Sequence, residues 1–119
     1  MNTLKGVCIG AGYFSQFHFE AWRRMDEVEI LAVCDTEKDK ALLVCSKYGF
    51  KSAYDDVEEM LQKERPDFVD IITPPETHLE LCQLAISHGI HIICQKPLAP
   101  SYSDSMGIAQ ALEASQVRM

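Results

Sequence analysis

The stretch "LKGVCIGAGYFSQFHFEAW" does most to limit what this chain can fold into. An apolar, β-branched run ends at Gly10-Ala11-Gly12 and passes at once into residues with helical spacing. Phe14, Phe17, His18, Ala21, Trp22 and Met25 follow the i, i+3, i+4, i+7, i+8, i+11 pattern of one helix face. That face is expected to pack on a sheet, with His18 as a satisfied core residue on its apolar stripe. Glycine at the junction permits a turn that a side chain would obstruct.

The same alternation runs through the chain. "VEILAVCD", "FVDIIT" and "IHIIC" read as strands, and "KSAYDD" as a very short one. Helical patterns lie between them. One runs from about Thr36 to a stop at Gly49, another from about Glu76 to a stop at Gly89, and "SYSDSMGIAQALEAS" forms the last. Thr77 with Glu80, and Asp55 with Glu58, have capping-box spacing. Strands apolar on both faces and joined by crossover helices imply an α/β fold, a doubly wound parallel sheet in a single domain over residues 1–119. The closing "QVRM" reads as a sixth strand truncated as it begins.

Composition narrows the function. With 47% hydrophobic and 24% charged residues, the 119 residues suit one globular core. A net charge of −7, with no basic run beyond Arg23-Arg24, argues against nucleic acid or an acidic membrane surface as partner. No apolar stretch reaches the roughly 18 residues of a membrane span, and no cleavable signal pattern precedes the first strand, so a cytoplasmic location is expected. The cysteines, Cys8, Cys34, Cys45, Cys82 and Cys94, are odd in number and contain no C-x-x-C pair. They read as buried thiols, with no metal site.

A doubly wound sheet binds ligands beyond the carboxyl ends of its strands. Four features fall there. Gly10-Ala11-Gly12-Tyr13-Phe14-Ser15 follows the first strand: Gly10 permits the tight turn, Gly12 lets backbone approach a pyrophosphate, and free amides at the helix start face its oxygens. Asp35 closes the second strand, where a carboxylate accepts hydrogen bonds from ribose hydroxyls and repels a 2′-phosphate. This favours NAD, although Lys38 or Lys40 pairing with a phosphate would leave room for NADP. Thr73-Pro74-Pro75 ends the fourth strand and offers the Thr73 hydroxyl, with His78 just beyond. Gln95-Lys96-Pro97 follows the fifth, and its lysine points toward the nicotinamide end of a dinucleotide whose pyrophosphate sits on Gly12.

Together these residues resemble the glucose-fructose oxidoreductase, inositol dehydrogenase and MocA (Gfo/Idh/MocA) family, from "GVCIGAGYFSQFH" through "AVCD" and "ITPPETH" to "CQKPLA". Gly10, Gly12, Asp35, Thr73, Pro74, His78, Lys96 and Pro97 match the family's glycine-rich turn, acidic residue, T-P-x-x-x-H segment and E-K-P motif. Ser15 replaces a glycine or alanine, and Gln95 replaces the glutamate. The resemblance implies a Rossmann NAD(P)-binding domain with Gly10, Ala11, Gly12, Tyr13, Phe14, Asp35, Thr73, Pro74, His78, Gln95, Lys96 and Pro97 around the cofactor. It further implies Lys96 as the catalytic group of a dehydrogenase acting on a hydroxyl of a sugar, polyol or cyclitol.

Family members carry a C-terminal substrate domain, to which nothing here corresponds. The expectation is therefore the cofactor domain alone, inactive by itself, with homo-oligomerisation only through that second domain. Two readings stand beside it: a non-catalytic dinucleotide sensor, and transient use of NAD for epimerisation or glycoside cleavage. A methyltransferase would also place glycines and an acid after its first two strands, but has no use for T-P-P and Q-K-P. Calorimetry with both cofactors checks the preference: NAD(H) should bind more tightly than NADP(H), and Asp35→Ala should weaken NAD by about 1–3 kcal/mol. Equal or tighter NADP binding would remove Asp35 from this role.

Overall fold

The structure, a computed structural model, describes residues 3–119. In chain order the elements are β1 (Leu4–Ile9), α1 (Ser15–Arg23), β2 (Val28–Cys34), α2 (Lys38–Tyr48), β3 (Ser52–Tyr54) and α3 (Val57–Glu64). They continue with β4 (Phe68–Ile71), a 3₁₀ turn at Pro75–Thr77, α4 (His78–Ser87), β5 (His91–Cys94) and α5 (Tyr102–Glu113). The five strands form one sheet in the order β3-β2-β1-β4-β5, and every pairing is parallel. Parallel neighbours require crossovers, which the helices supply. The doubly wound α/β fold expected from the alternation is thus the one observed.

Side-chain alternation along the strands sorts the core into two layers. Val7, Ile9, Val69, Ile71 and Ile92 meet Met60, Leu61, Cys82, Ala85 and Ile108 of α3, α4 and α5. On the opposite face Cys8, Ile30, Val33 and Phe68 meet Phe19 of α1 and Ala41, Cys45 and Tyr48 of α2. All five cysteines are free thiols, four of them buried and Cys94 half-buried.

Helix ends follow local chemistry, with corrections to the sequence reading. α2 ends on Gly49 at φ 78° and α4 stops before Gly89 at φ 70°, both left-handed as expected. α2 begins at Lys38, later than Thr36, because the segment after β2 turns around the Asp35 side chain, which takes the Glu37 amide. α4 begins at His78, since Pro74-Pro75 carries the chain first through the 3₁₀ turn. Neither capping box forms as read. Asp56, one residue along from Asp55, caps α3 by accepting from the Glu59 amide, and the Thr77 hydroxyl donates back to the Pro74 carbonyl.

The face of α1 also differs from expectation. Ser15 and Phe19 are the residues it buries, whereas Phe14, Phe17 and Met25 are 53%, 49% and 43% exposed. The cause lies at the sheet edge. No described helix covers β5 on the α1 side, and Ile93 there is 43% exposed, so the apolar stripe borders an open groove. On the outer edge of β5 the Arg118 carbonyl accepts the Ile92 amide at 2.8 Å, but residues 115–119 form no regular strand. No described helix is long and apolar enough to cross a membrane.

Gly6 in β1 lies under the ring of Phe68, whose Cζ would come within 2.3 Å of an added Cβ. The ring is itself wedged against Trp22, centroids 5.1 Å apart. Gly6→Ala should therefore cost about 1–3 kcal/mol by overpacking, measured by denaturant unfolding, and Phe68→Leu in the same chain should restore part of it.

Candidate functional site

Gly10, Asp35, Thr73 and Lys96 follow β1, β2, β4 and β5, and a parallel sheet brings these carboxyl ends to one edge. At the glycine turn, Gly10 holds φ 110° with its Cα side closed by the Ile72 backbone, 3.1 Å from where a Cβ would stand. Only glycine satisfies both demands. Gly12 is different: nothing lies within 4 Å of its missing Cβ, so its lack of a side chain keeps open space above the start of α1. The amides of Gly12, Tyr13 and Phe14 donate to no partner among the described residues. Open space and free donors at a helix N-terminus fit a pyrophosphate. Ser15, 2% exposed, donates its hydroxyl to the Gly12 carbonyl at 2.5 Å, so it keeps the close packing of a small residue and also fastens the turn.

Asp35 ties the second strand to this turn. Its Oδ2 accepts the Ala11 amide and its Oδ1 the Glu37 amide, both at 2.9 Å. Each carboxylate oxygen retains a lone pair for a ribose hydroxyl. Lys40, one of the two lysines that could have received a 2′-phosphate, is engaged by Glu37 at 2.8 Å, whose hydrogen bond and charge raise the lysine's pKa. Glu37 thereby occupies Lys40 close to the Asp35 carboxylate.

Thr73 and His78 have separate roles. The Thr77 hydroxyl donates to Pro74, so Thr73 donates to Thr77 at 2.6 Å and can only accept from a ligand. His78 is fully buried, and its two ring nitrogens lie 2.8 Å from the carbonyls of Leu98 and Thr73. It was expected beside the cofactor and has no surface to offer one. Instead it joins the end of β4 to the loop after Lys96.

In that loop the Lys96-Pro97 peptide is cis. The Gln95 Oε1 accepts the Lys96 backbone amide at 3.1 Å, so glutamine in place of glutamate orders the loop backbone rather than pairing with the ammonium. Lys96 itself is exposed. With Gln95 it lines the groove, about 440 Å³, that borders Phe14 at the start of α1 and Phe17, His18 and Trp22 within it. Tyr13, 80% exposed, stands edge-on to Phe17 at the mouth of the turn.

Beneath the groove lies a polar cluster that sequence reasoning missed. Asp70 on β4 is fully buried, and its Oδ2 receives His18 Nδ1 at 2.7 Å and Trp22 Nε1 at 2.8 Å. Its Oδ1 has no partner among the described residues. The signal was present as a lone carboxylate within the apolar "FVDIIT". Burial first, then the Asp70 carboxylate, push the Cys8 thiol well above its usual pKa, so this thiol stays protonated.

Comparison with known proteins identifies the family and the fold. Residues 4–119 match the GFO_IDH_MocA oxidoreductase family, with its NAD-binding Rossmann fold. A D-apiose dehydrogenase from Paraburkholderia graminis is 39% identical over 98% of this chain and 31% of its own length. A D-glucoside 3-dehydrogenase from Escherichia coli is 34% identical over 82% of this chain and 28% of its own. The crystal structure of an oxidoreductase from Agrobacterium radiobacter in complex with NAD+, L-tartaric acid and magnesium superposes with a TM-score of 0.94 at 33% identity. That match covers 99% of this chain and 35% of the other. The chain thus spans about a third of the length of these relatives.

His78 fills space and joins two loops, so His78→Ala should cost about 2–4 kcal/mol in denaturant unfolding. Hydrogen exchange should rise in the segments around Thr73 and Leu98. Unchanged protection there would remove the joining role.

Proposed function

This chain belongs to the oxidoreductase family with an NAD-binding Rossmann fold, and we propose on that premise that it is the cofactor domain of a dehydrogenase acting on a sugar, polyol or cyclitol hydroxyl. The observation that carries the reading is one sheet edge with open amides at Gly12–Phe14, a carboxylate at Asp35 tied to the glycine turn and a lysine at Lys96. NAD supplies a hydride acceptor. The residues of the chain bind it and prepare the substrate. Gly12, Tyr13 and Phe14 give amides to the pyrophosphate, Asp35 accepts from the ribose, and Thr73 offers an acceptor oxygen. Ala11, Pro74, Gln95 and Pro97 shape the surrounding backbone.

Lys96 is the catalytic residue in this reading. Its ammonium donates a hydrogen bond to the substrate hydroxyl and stabilises the alkoxide that develops as the C–H bond breaks. A C-terminal substrate domain supplies the remaining substrate contacts and the acid/base partner. The relatives' names, apiose, glucoside and inositol dehydrogenases, support polyhydroxylated substrates of small size.

In the full-length protein Lys96→Ala should lower kcat about 10²–10⁴-fold while NAD affinity changes less than about tenfold. Lys96→Arg should not rescue turnover, because a planar guanidinium remains charged and cannot pass on a proton. Steady-state kinetics and calorimetry separate the outcomes. Undiminished turnover in Lys96→Ala would leave the lysine a loop charge, and selective loss of NAD binding would make it a cofactor ligand.

A further inference from the structure

The groove beside Lys96 combines two kinds of surface. Its α1 wall is aromatic, with Phe14 and Phe17 edge-on at 5.4 Å and Phe14 edge-on to the His18 ring at 6.1 Å. Such rings meet the C–H face of a ring compound favourably and offer nothing to its hydroxyls. Hydroxyls must be met by the polar groups present, and among the groove's lining these are Lys96, Gln95 and His18.

His18 is more constrained than a surface histidine. One edge of its ring is held by Asp70, fully buried, while the side chain as a whole is 20% exposed. Asp70 as a carboxylate is an acceptor only, and the same oxygen also receives the Trp22 indole N–H. The hydrogen between His18 and Asp70 therefore resides on Nδ1. In the neutral ring this leaves Nε2 bare, and Nε2 has no hydrogen-bond partner among the described residues. A buried carboxylate fixing one histidine nitrogen so that the other serves a ligand is the logic by which second partners orient functional imidazoles.

We propose that the Asp70–His18 pair makes His18 Nε2 a fixed hydrogen-bond acceptor for a substrate hydroxyl in the groove lined by Lys96, Phe14, Phe17 and Trp22. Lys96 donates to the reacting hydroxyl and His18 accepts from another on the same ring. The occupant this selects is a polyhydroxylated ring with one apolar face. Asp70 is a positioning residue, acting only through the tautomer it imposes. The proposal rests on the dehydrogenase reading for the identity of the reacting hydroxyl, but its first element, a bare Nε2 set by Asp70, does not.

Imidazole ¹⁵N NMR of the protein tests that element before any turnover. With NAD present, the His18 signal should show Nδ1 protonated and Nε2 bare, and Asp70→Leu, which removes the acceptor, should abolish this preference. Adding myo-inositol or D-apiose should move the Nε2 resonance. His18→Asn keeps a donor for Asp70 but loses the acceptor, and His18→Gln can restore an acceptor at the longer reach. In the full-length protein His18→Asn should raise KM for the polyol about 5–30-fold, with kcat and NAD affinity changed less than about threefold and His18→Gln recovering part of the loss. An Nε2-protonated ring, or an unchanged KM in a folded His18→Asn protein, overturns the proposal. If the wild-type protein binds NAD but oxidises no polyol, the dehydrogenase reading fails separately. The Nε2 resonance then decides, movement with polyol supporting the His18 assignment and an unmoved signal overturning it.

Discussion

β1 is hydrogen-bonded on both sides, to β2 and to β4, which in turn pair with β3 and β5, so the sheet is built outward from it. A parallel strand in that position has no solvent-facing side, which is why Val7 and Cys8 are fully buried and why helices must cover both faces. The same geometry collects the strand ends at one edge. Residues far apart in sequence, Gly10, Asp35, Thr73 and Lys96, thereby become neighbours along a crevice without any of them having to build it. The core fixes the crevice and the loops furnish its chemistry.

Much of that chemistry was legible because it is local. A glycine required by a positive φ, an acid that terminates a strand and a proline that ends a ladder each declare themselves within a few residues. Gly10, Asp35 and the Thr73-Pro74 segment stand at the strand ends where the sequence reading put them. What escaped was set by tertiary contact. His18, Trp22 and Asp70 are separated by up to 52 residues, and nothing in their individual positions tells a reader that one carboxylate oxygen serves both partners. The helical stripe of α1 was correctly periodic, yet periodicity cannot say which neighbour is present to cover it. Half of that stripe borders the groove, where no described helix lies over β5.

The caps show the same boundary at smaller scale. Asp55 and Asp56 are chemically equivalent, and it is Asp56, extended at φ −129° and ψ 117° directly before the helix, whose side chain reaches the Glu59 amide. Thr77 had the right spacing for a box with Glu80, but the preceding prolines commit its hydroxyl to Pro74. Spacing proposes such bonds and backbone geometry chooses among them.

The burial of His78 between two carbonyls has a kinetic and entropic meaning of its own. Loops at the ends of neighbouring strands normally fluctuate independently, and a ligand that spans them must immobilise each one. Here a single buried ring is seated between the two, each ring nitrogen 2.8 Å from a carbonyl, so the segment after β4 and the loop carrying Lys96 pack against one side chain. Their ordering is completed during folding rather than at the moment of association. A ligand arriving at this edge meets a preorganised surface, and any displacement it imposes on one loop is transmitted through the imidazole to the other.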